Sequence, residues 1–260
     1  MSPRVFLALT YGLSWALWAV ALALGGDISD PFVYGLHTVA FCGPTLVAWS
    51  LALTGRPGTR QARLSTATRW LPAAVLIGLA PAVGAAVLAP LFGGTGLDPG
   101  LFADAAARTG GWLPYVGLAL LTGPLAEEFG WRGYLQPLLR RTTSARRTPF
   151  VLGLFWALWH VPLFFVVGIL QHAMGLFTVQ ALGFFVVLVL QSVGLLYVSE
   201  RLRGGVPAAV LLHLVLNMAI VLVPLDSIAV ALAYVALHAL IALALLRFVS
   251  PPGSATGTAR

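Results

Sequence analysis

The 260-residue sequence has no lysine, one cysteine and only eight acidic residues. Each shortage excludes something. A single cysteine, Cys42, rules out an intrachain disulfide and any cysteine-cluster metal site; it lies in an apolar run and reads as a packing residue. Charged side chains make up 9% of the chain, against about 25% in a soluble domain, so a water-soluble globule is excluded. What the chain has instead is apolar surface: 59% hydrophobic residues and a mean hydropathy of +0.93. The net charge of +7 rests on 15 arginines, but these cluster in short gaps between apolar runs. That is a membrane-topology signal, not a nucleic-acid-binding face. The expected surroundings are lipid, and no nucleic-acid partner is expected.

A membrane span needs roughly 20 apolar residues. On that length the chain divides into spans at 5–24, 32–54, 70–92, 112–139, 150–170, 176–198, 206–224 and 228–249. The first is long for a signal-peptide core and reads as an uncleaved helix. Pro44 should kink the second span, and Pro124 the fourth. Residues 1–250 are expected to form one transmembrane helical domain, and the Pro/Gly/Ser/Thr-rich stretch 251–260 a disordered tail. With the N-terminus in the cytoplasm, 13 of the 15 arginines fall on the cytoplasmic side; the exceptions are Arg108 outside and Arg132 within its helix. The expectation is an all-α polytopic membrane protein of about eight transmembrane helices. Both termini should be cytoplasmic, and the composition hints at a bacterial plasma membrane.

Three of the spans carry polar groups that lipid cannot solvate. Leu125-Ala-Glu-Glu-Phe-Gly-Trp-Arg-Gly-Tyr134 places two adjacent carboxylates and a guanidinium in an apolar helix. Ionisable groups at membrane depth usually face a protein-lined cavity and carry function. Glu128 and Arg132 stand at i and i+4 with the acid first, the favourable order for a helical ion pair. Glu127 points about 100° away and has no such local partner, which leaves it free for chemistry. A snorkelling or packing charge cluster is the bland alternative. His160 lies in the fifth span, and His213 and Asn217 share one helix face in the seventh. At about 1.5 Å per residue from the cytoplasmic basic clusters, Glu127 lies roughly 20 Å deep, His160 roughly 17 Å, His213 roughly 10 Å and Asn217 roughly 16 Å. These depths overlap within the uncertainty of the helix ends. His37 and His238 have no partner motif and His172 lies in a turn, so these three read as helix-packing or hydrogen-bonding residues.

A carboxylate and an imidazole can hold and deprotonate a water. A second imidazole and an amide can donate to a developing oxyanion. Such a set suits a hydrolase for a carbonyl compound without a covalent nucleophile. The G-x-S-x-G elbow, a reactive Cys/His pair and the His-Glu-x-x-His zinc signature are all absent.

The pattern Glu127-Glu128-x-x-x-Arg132, then His160, then His213-x-x-x-Asn217, resembles the motifs of the CAAX protease and bacteriocin-processing family (CPBP, also called Abi) over roughly residues 112–220. The resemblance implies an intramembrane endopeptidase with a polar catalytic cavity inside the helix bundle. It makes Glu127 and His160 the water-activating pair and His213 with Asn217 the oxyanion side, with Glu128 and Arg132 supporting. The implied partner is a membrane-associated peptide or protein substrate, lipidated or with a C-terminal processing site. One position departs from the family: the usual Phe four residues before the first His is here Trp156, which should alter pocket shape without loss of chemistry. No cofactor is expected. Zinc is possible on Glu127, His160 and His213, but one Glu would then have to serve as both ligand and base. The competing readings are a proton-coupled transporter, in which Glu127, His160 and His213 form a relay, and a non-catalytic immunity or scaffold protein.

Overall fold

The structure is a computed structural model and describes residues 2–54, 68–223 and 227–249. The expected tail at 251–260, the arginines at 56, 60 and 63, and Asp226 lie outside the described residues. The regular secondary structure of the described residues is helical, with one isolated bridge between Asp27 and Val167. Its helices are α1 Pro3–Ala23, α2 Pro31–Phe41, α3 Gly43–Leu53, α4 Trp70–Leu88, α5 Pro99–Arg108, α6 Trp112–Thr122, α7 Pro124–Gly130, α8 Gln136–Leu139, α9 Thr148–Trp159, α10 Leu170–Met174, α11 Val179–Leu196, α12 Gly205–Ile220 and α13 Ile228–Leu246. The starts follow local chemistry. Asp30 accepts from the backbone N–H groups of Phe32 and Val33 ahead of α2, and Asp98 accepts from that of Gly100 ahead of α5. A proline stands in the first turn of each.

Five helical segments are long and apolar enough to cross a membrane, and this is an all-α polytopic membrane protein. The pair α2 and α3 is apolar enough when taken together and is bent by 53° at the Cys42 junction beside Pro44, the form of a broken span or a re-entrant loop; this is where the sequence places a kink. Two expected spans have a different form. The stretch 112–139 is broken at Gly123 into α6 and α7, and then continues through a π-helical turn at Trp131–Leu135 into α8. The stretch 206–224 appears as α12, an apolar helix somewhat short for a full crossing.

The ends of the helices sort into two groups. At one end Arg140 pairs with Glu200 at 2.9 Å, Arg201 donates to the Phe248 carbonyl and Arg146 to that of Val249. At the other end Val167 exchanges backbone bonds with Gly26 and Ile28, and Asp98 donates to the Leu222 carbonyl. Segments expected on the same side of the membrane thus meet.

Lipid gives apolar helices no hydrophobic reason to associate, so close backbone approach at small residues carries much of the packing. A Cβ on Gly153 of α9 would stand 2.8 Å from Val189 Cα and 3.0 Å from Ser192 Oγ on α11. One on Gly130 of α7 would overlap the Pro44 carbonyl of α3. Hydrogen bonds add to this: Thr45 donates to the Leu125 carbonyl across α3 and α7. From α1, Tyr11 donates to the Phe155 carbonyl and Trp15 to that of Trp159 at 3.1 Å.

Gly130→Ala should therefore destabilise the protein by about 1–3 kcal/mol, the usual cost of overpacking. Gly12→Ala, at a helical site with nothing within 4 Å, should be neutral or stabilising. Thermal unfolding in the same detergent reads both; equal midpoints for the two variants would contradict the α3–α7 contact.

Candidate functional site

The site begins at the helix break. Gly123 adopts φ −121° and ψ −93°, and Pro124, with no N–H to give, starts a new helix in which Glu127 lies in the first turn. The π turn that follows adds a residue to the helical ladder, a distortion that recurs at functional sites. Even so, Arg132 reaches back to Glu128: Nη1 lies 3.0 Å from Oε1. The i,i+4 pair expected from spacing is present, and both partners are buried.

Glu128 has a second partner that spacing did not announce. The same Oε1 accepts a hydrogen bond from His213 Nδ1 at 2.8 Å. Arg132 in turn donates through Nη2 to Ser192 Oγ at 2.9 Å, a contact allowed by the close approach of α9 and α11 at Gly153. Glu128, at 0% exposure, is compensated by a guanidinium and an imidazole together. Because a carboxylate only accepts, His213 Nδ1 carries the hydrogen, and Nε2 is the nitrogen left for other work.

His160 stands at the C-terminal end of α9. Pro162 offers no N–H to continue the helix, and the chain tightens into a 3₁₀ turn over Val161–Phe165. The His160 backbone N–H bonds to Ala157 rather than Trp156. The Trp156 carbonyl therefore receives the imidazole, with Nδ1 at 2.7 Å. The carbonyl must accept, so Nδ1 carries the proton and Nε2 is bare in the neutral ring.

Trp156 stands in the middle of the cluster at 1% exposure. Its indole Nε1 donates to Glu127 Oε2 at 2.5 Å. The Arg132 guanidinium lies 4.5 Å from its ring centroid. The rings of His213 and His160 meet it edge to face at 5.3 and 5.8 Å. Glu127, His160 and His213 are 2%, 6% and 4% exposed, so the expected polar cavity takes the form of a nearly enclosed cluster around an indole. Asn217, one turn beyond His213 on α12, is exposed. Its Nδ2 lies 3.2 Å from where a Cβ would stand on Gly123, which places the amide beside the helix break.

The remaining histidines lie elsewhere. His37 packs between Trp18 and Phe41, His172 lies 3.2 Å from the Phe164 carbonyl, and His238 joins Gln191 and the Tyr234 carbonyl. Two contributors escaped sequence reasoning. Ser192 carries no signal beyond being a small polar residue in an apolar span. Trp156 was visible as a departure from a motif, but its N–H donor role was not.

The residues do not fit a metal. Zinc needs three protein donors around one point. Among the described residues no three His, Cys, Asp or Glu side chains are so grouped, and Glu128 and His213 Nδ1 are bound to each other.

Comparison with known proteins falls on the same stretch. Residues 109–219 match the family model of the type II CAAX prenyl endopeptidase Rce1-like proteins. A CAAX prenyl protease 2 from Methanococcus maripaludis is 29% identical over 108 residues, which is 41% of this chain and 40% of that protein. The match therefore spans about two fifths of the relative's length. The family-model match, residues 109–219, includes Glu127, Glu128, Arg132, Trp156, His160, Ser192, His213 and Asn217. Over residues 109–219 the chain is thus similar to the type II CAAX prenyl endopeptidase Rce1-like proteins.

Proposed function

We propose that this protein is an intramembrane endopeptidase that hydrolyses a peptide bond of a membrane-associated peptide or protein. The observation that carries the reading is the Glu128–His213 hydrogen bond at 2.8 Å, with Trp156 between Glu127 and His160. These contacts draw the three motifs, from three separate helices, into one buried cluster. A relay for protons or a structural knot would not need a carboxylate, two oriented imidazoles and an amide in the order of a peptidase family. The archaeal relative bears the name of a CAAX prenyl protease, and this favours a lipidated substrate or one processed near its C-terminus.

In this reading Glu127 takes a proton from a water held between it and His160 Nε2. The hydroxide attacks the scissile carbonyl. His213, oriented by Glu128, presents Nε2 to the oxyanion and donates to it when that nitrogen carries a proton, and Asn217 adds its amide N–H. Glu127 then returns the proton to the leaving amine. Glu128 and Arg132 act by holding His213 and Trp156. We infer that water is activated without a metal, because Glu127, His160 and His213 do not form a ligand set.

Purified full-length protein in lipid nanodiscs, given internally quenched peptides with and without a farnesylated C-terminal Cys-aliphatic-aliphatic-X sequence, tests the activity. Glu127→Gln should abolish cleavage with the unfolding midpoint unchanged, since an amide takes no proton from water. Glu128→Gln should cost stability, by about 3–5 kcal/mol for a broken buried pair, and lower activity as a consequence. Full activity of Glu127→Gln would refute the assignment. Chelators should leave cleavage intact; stoichiometric zinc whose removal stops cleavage and whose return restores it would overturn the metal-free step alone.

We also infer that the Arg140–Glu200 end of the bundle is cytoplasmic, from the arginine asymmetry, and that the membrane is a bacterial plasma membrane. In a Cys42→Ser background, Thr143→Cys should be protected from an impermeant thiol reagent in intact cells and Ser29→Cys labelled. The reverse pattern would invert the topology.

A further inference from the structure

We propose that Trp156 is a positioning residue for Glu127: its indole N–H holds one carboxylate oxygen and so sets the direction of the other. The proposal rests on the peptidase reading above. An indole N–H is a donor only, so Glu127 Oε2, at 2.5 Å, is the acceptor. A carboxylate is rigid and planar, so fixing Oε2 fixes where Oε1 points.

The indole is itself held. The Arg132 guanidinium lies over its face at 4.5 Å, and His213 meets it at 5.3 Å. Glu128 bonds to both of these. The orientation of Glu127 therefore depends on its neighbouring carboxylate through an aromatic ring 29 residues away in sequence. This gives the Glu128–Arg132 pair a route to the reacting group that two adjacent residues on one helix would not otherwise have.

Space filling alone does not account for the contact. The buried indole N–H groups of Trp18, Trp131 and Trp159 have no acceptor among the described residues. Burial in this bundle thus does not force an indole to find a partner, yet Trp156 is bonded to Glu127.

The test uses full-length protein in nanodiscs and whichever quenched peptide the wild type cleaves. Trp156→Phe should lower kcat on the order of 10²-fold, the effect of misplacing a catalytic group by about 1 Å, with KM unchanged. Incorporation of 3-benzothienylalanine at position 156 keeps the bicyclic shape and replaces N–H by sulfur; it should show the same loss. Wild-type kcat in the sulfur isostere would overturn the proposal, because the ring would then be acting by shape alone. A second readout needs no turnover. The ¹⁵N-indole N–H signal of Trp156, identified by its loss in Trp156→Phe, should move upfield in Glu127→Ala as its acceptor is removed; an unmoved signal would also overturn the proposal. If the wild type cleaves no peptide, the peptidase reading fails while the spectrum still decides the hydrogen bond.

Discussion

A carboxylate at 0% exposure inside a lipid-embedded bundle must find its compensation within the protein. Glu128 finds it in Arg132 and His213, and the rest of the cluster follows from that requirement. Arg132 has further donors to place, and Ser192 takes one of them. Its charge spreads over the face of Trp156, and the edge of that ring reaches Glu127. Removing one member would strand another in a medium of low dielectric, where unpaired charge is costly. The polar cluster is thus a connected structure built outward from one buried charge.

The sequence revealed what is local. Apolar run length showed a helical membrane protein, and Pro44 and Pro124 marked where helices bend or restart. The i,i+4 spacing of Glu128 and Arg132 predicted a contact that is present at 3.0 Å. It could not reveal contacts that depend on how helices pack. Glu128 and His213 are 85 residues apart, and no periodicity within a single helix links them. Glu127, read as free because it has no helical partner, is held by Trp156 from α9. Span boundaries also hid detail: run length treated 112–139 as one helix, whereas Gly123 and the π turn divide it.

Glycine placement links the fold to the site. Gly153 lets α11 approach α9 closely enough for Ser192 to meet Arg132, and Gly130 seats α7 against α3 immediately after the two glutamates. Gly123 leaves room for the Asn217 amide at the helix break. In each case a missing side chain, rather than an added interaction, sets the distance between functional groups. Backbone-to-backbone packing of this kind is available to helices in lipid, where apolar burial gives little preference for one partner over another.

The clasp of α1 on α9 has a consequence for biosynthesis. Tyr11 and Trp15 each bond to a carbonyl 144 residues further along the chain, beside the helix end that bears His160. At roughly 5–20 residues per second, the ribosome needs about 7–29 s to supply those acceptors after α1 is made. Through that interval the phenol and the indole on a newly inserted helix are without these two acceptors. They must wait at the headgroup layer, against the translocon wall or in the keeping of an insertase. Maturation of the His160 helix end is therefore timed by the translation of sequence remote from it, and a stalled ribosome would leave the first helix inserted but unclasped.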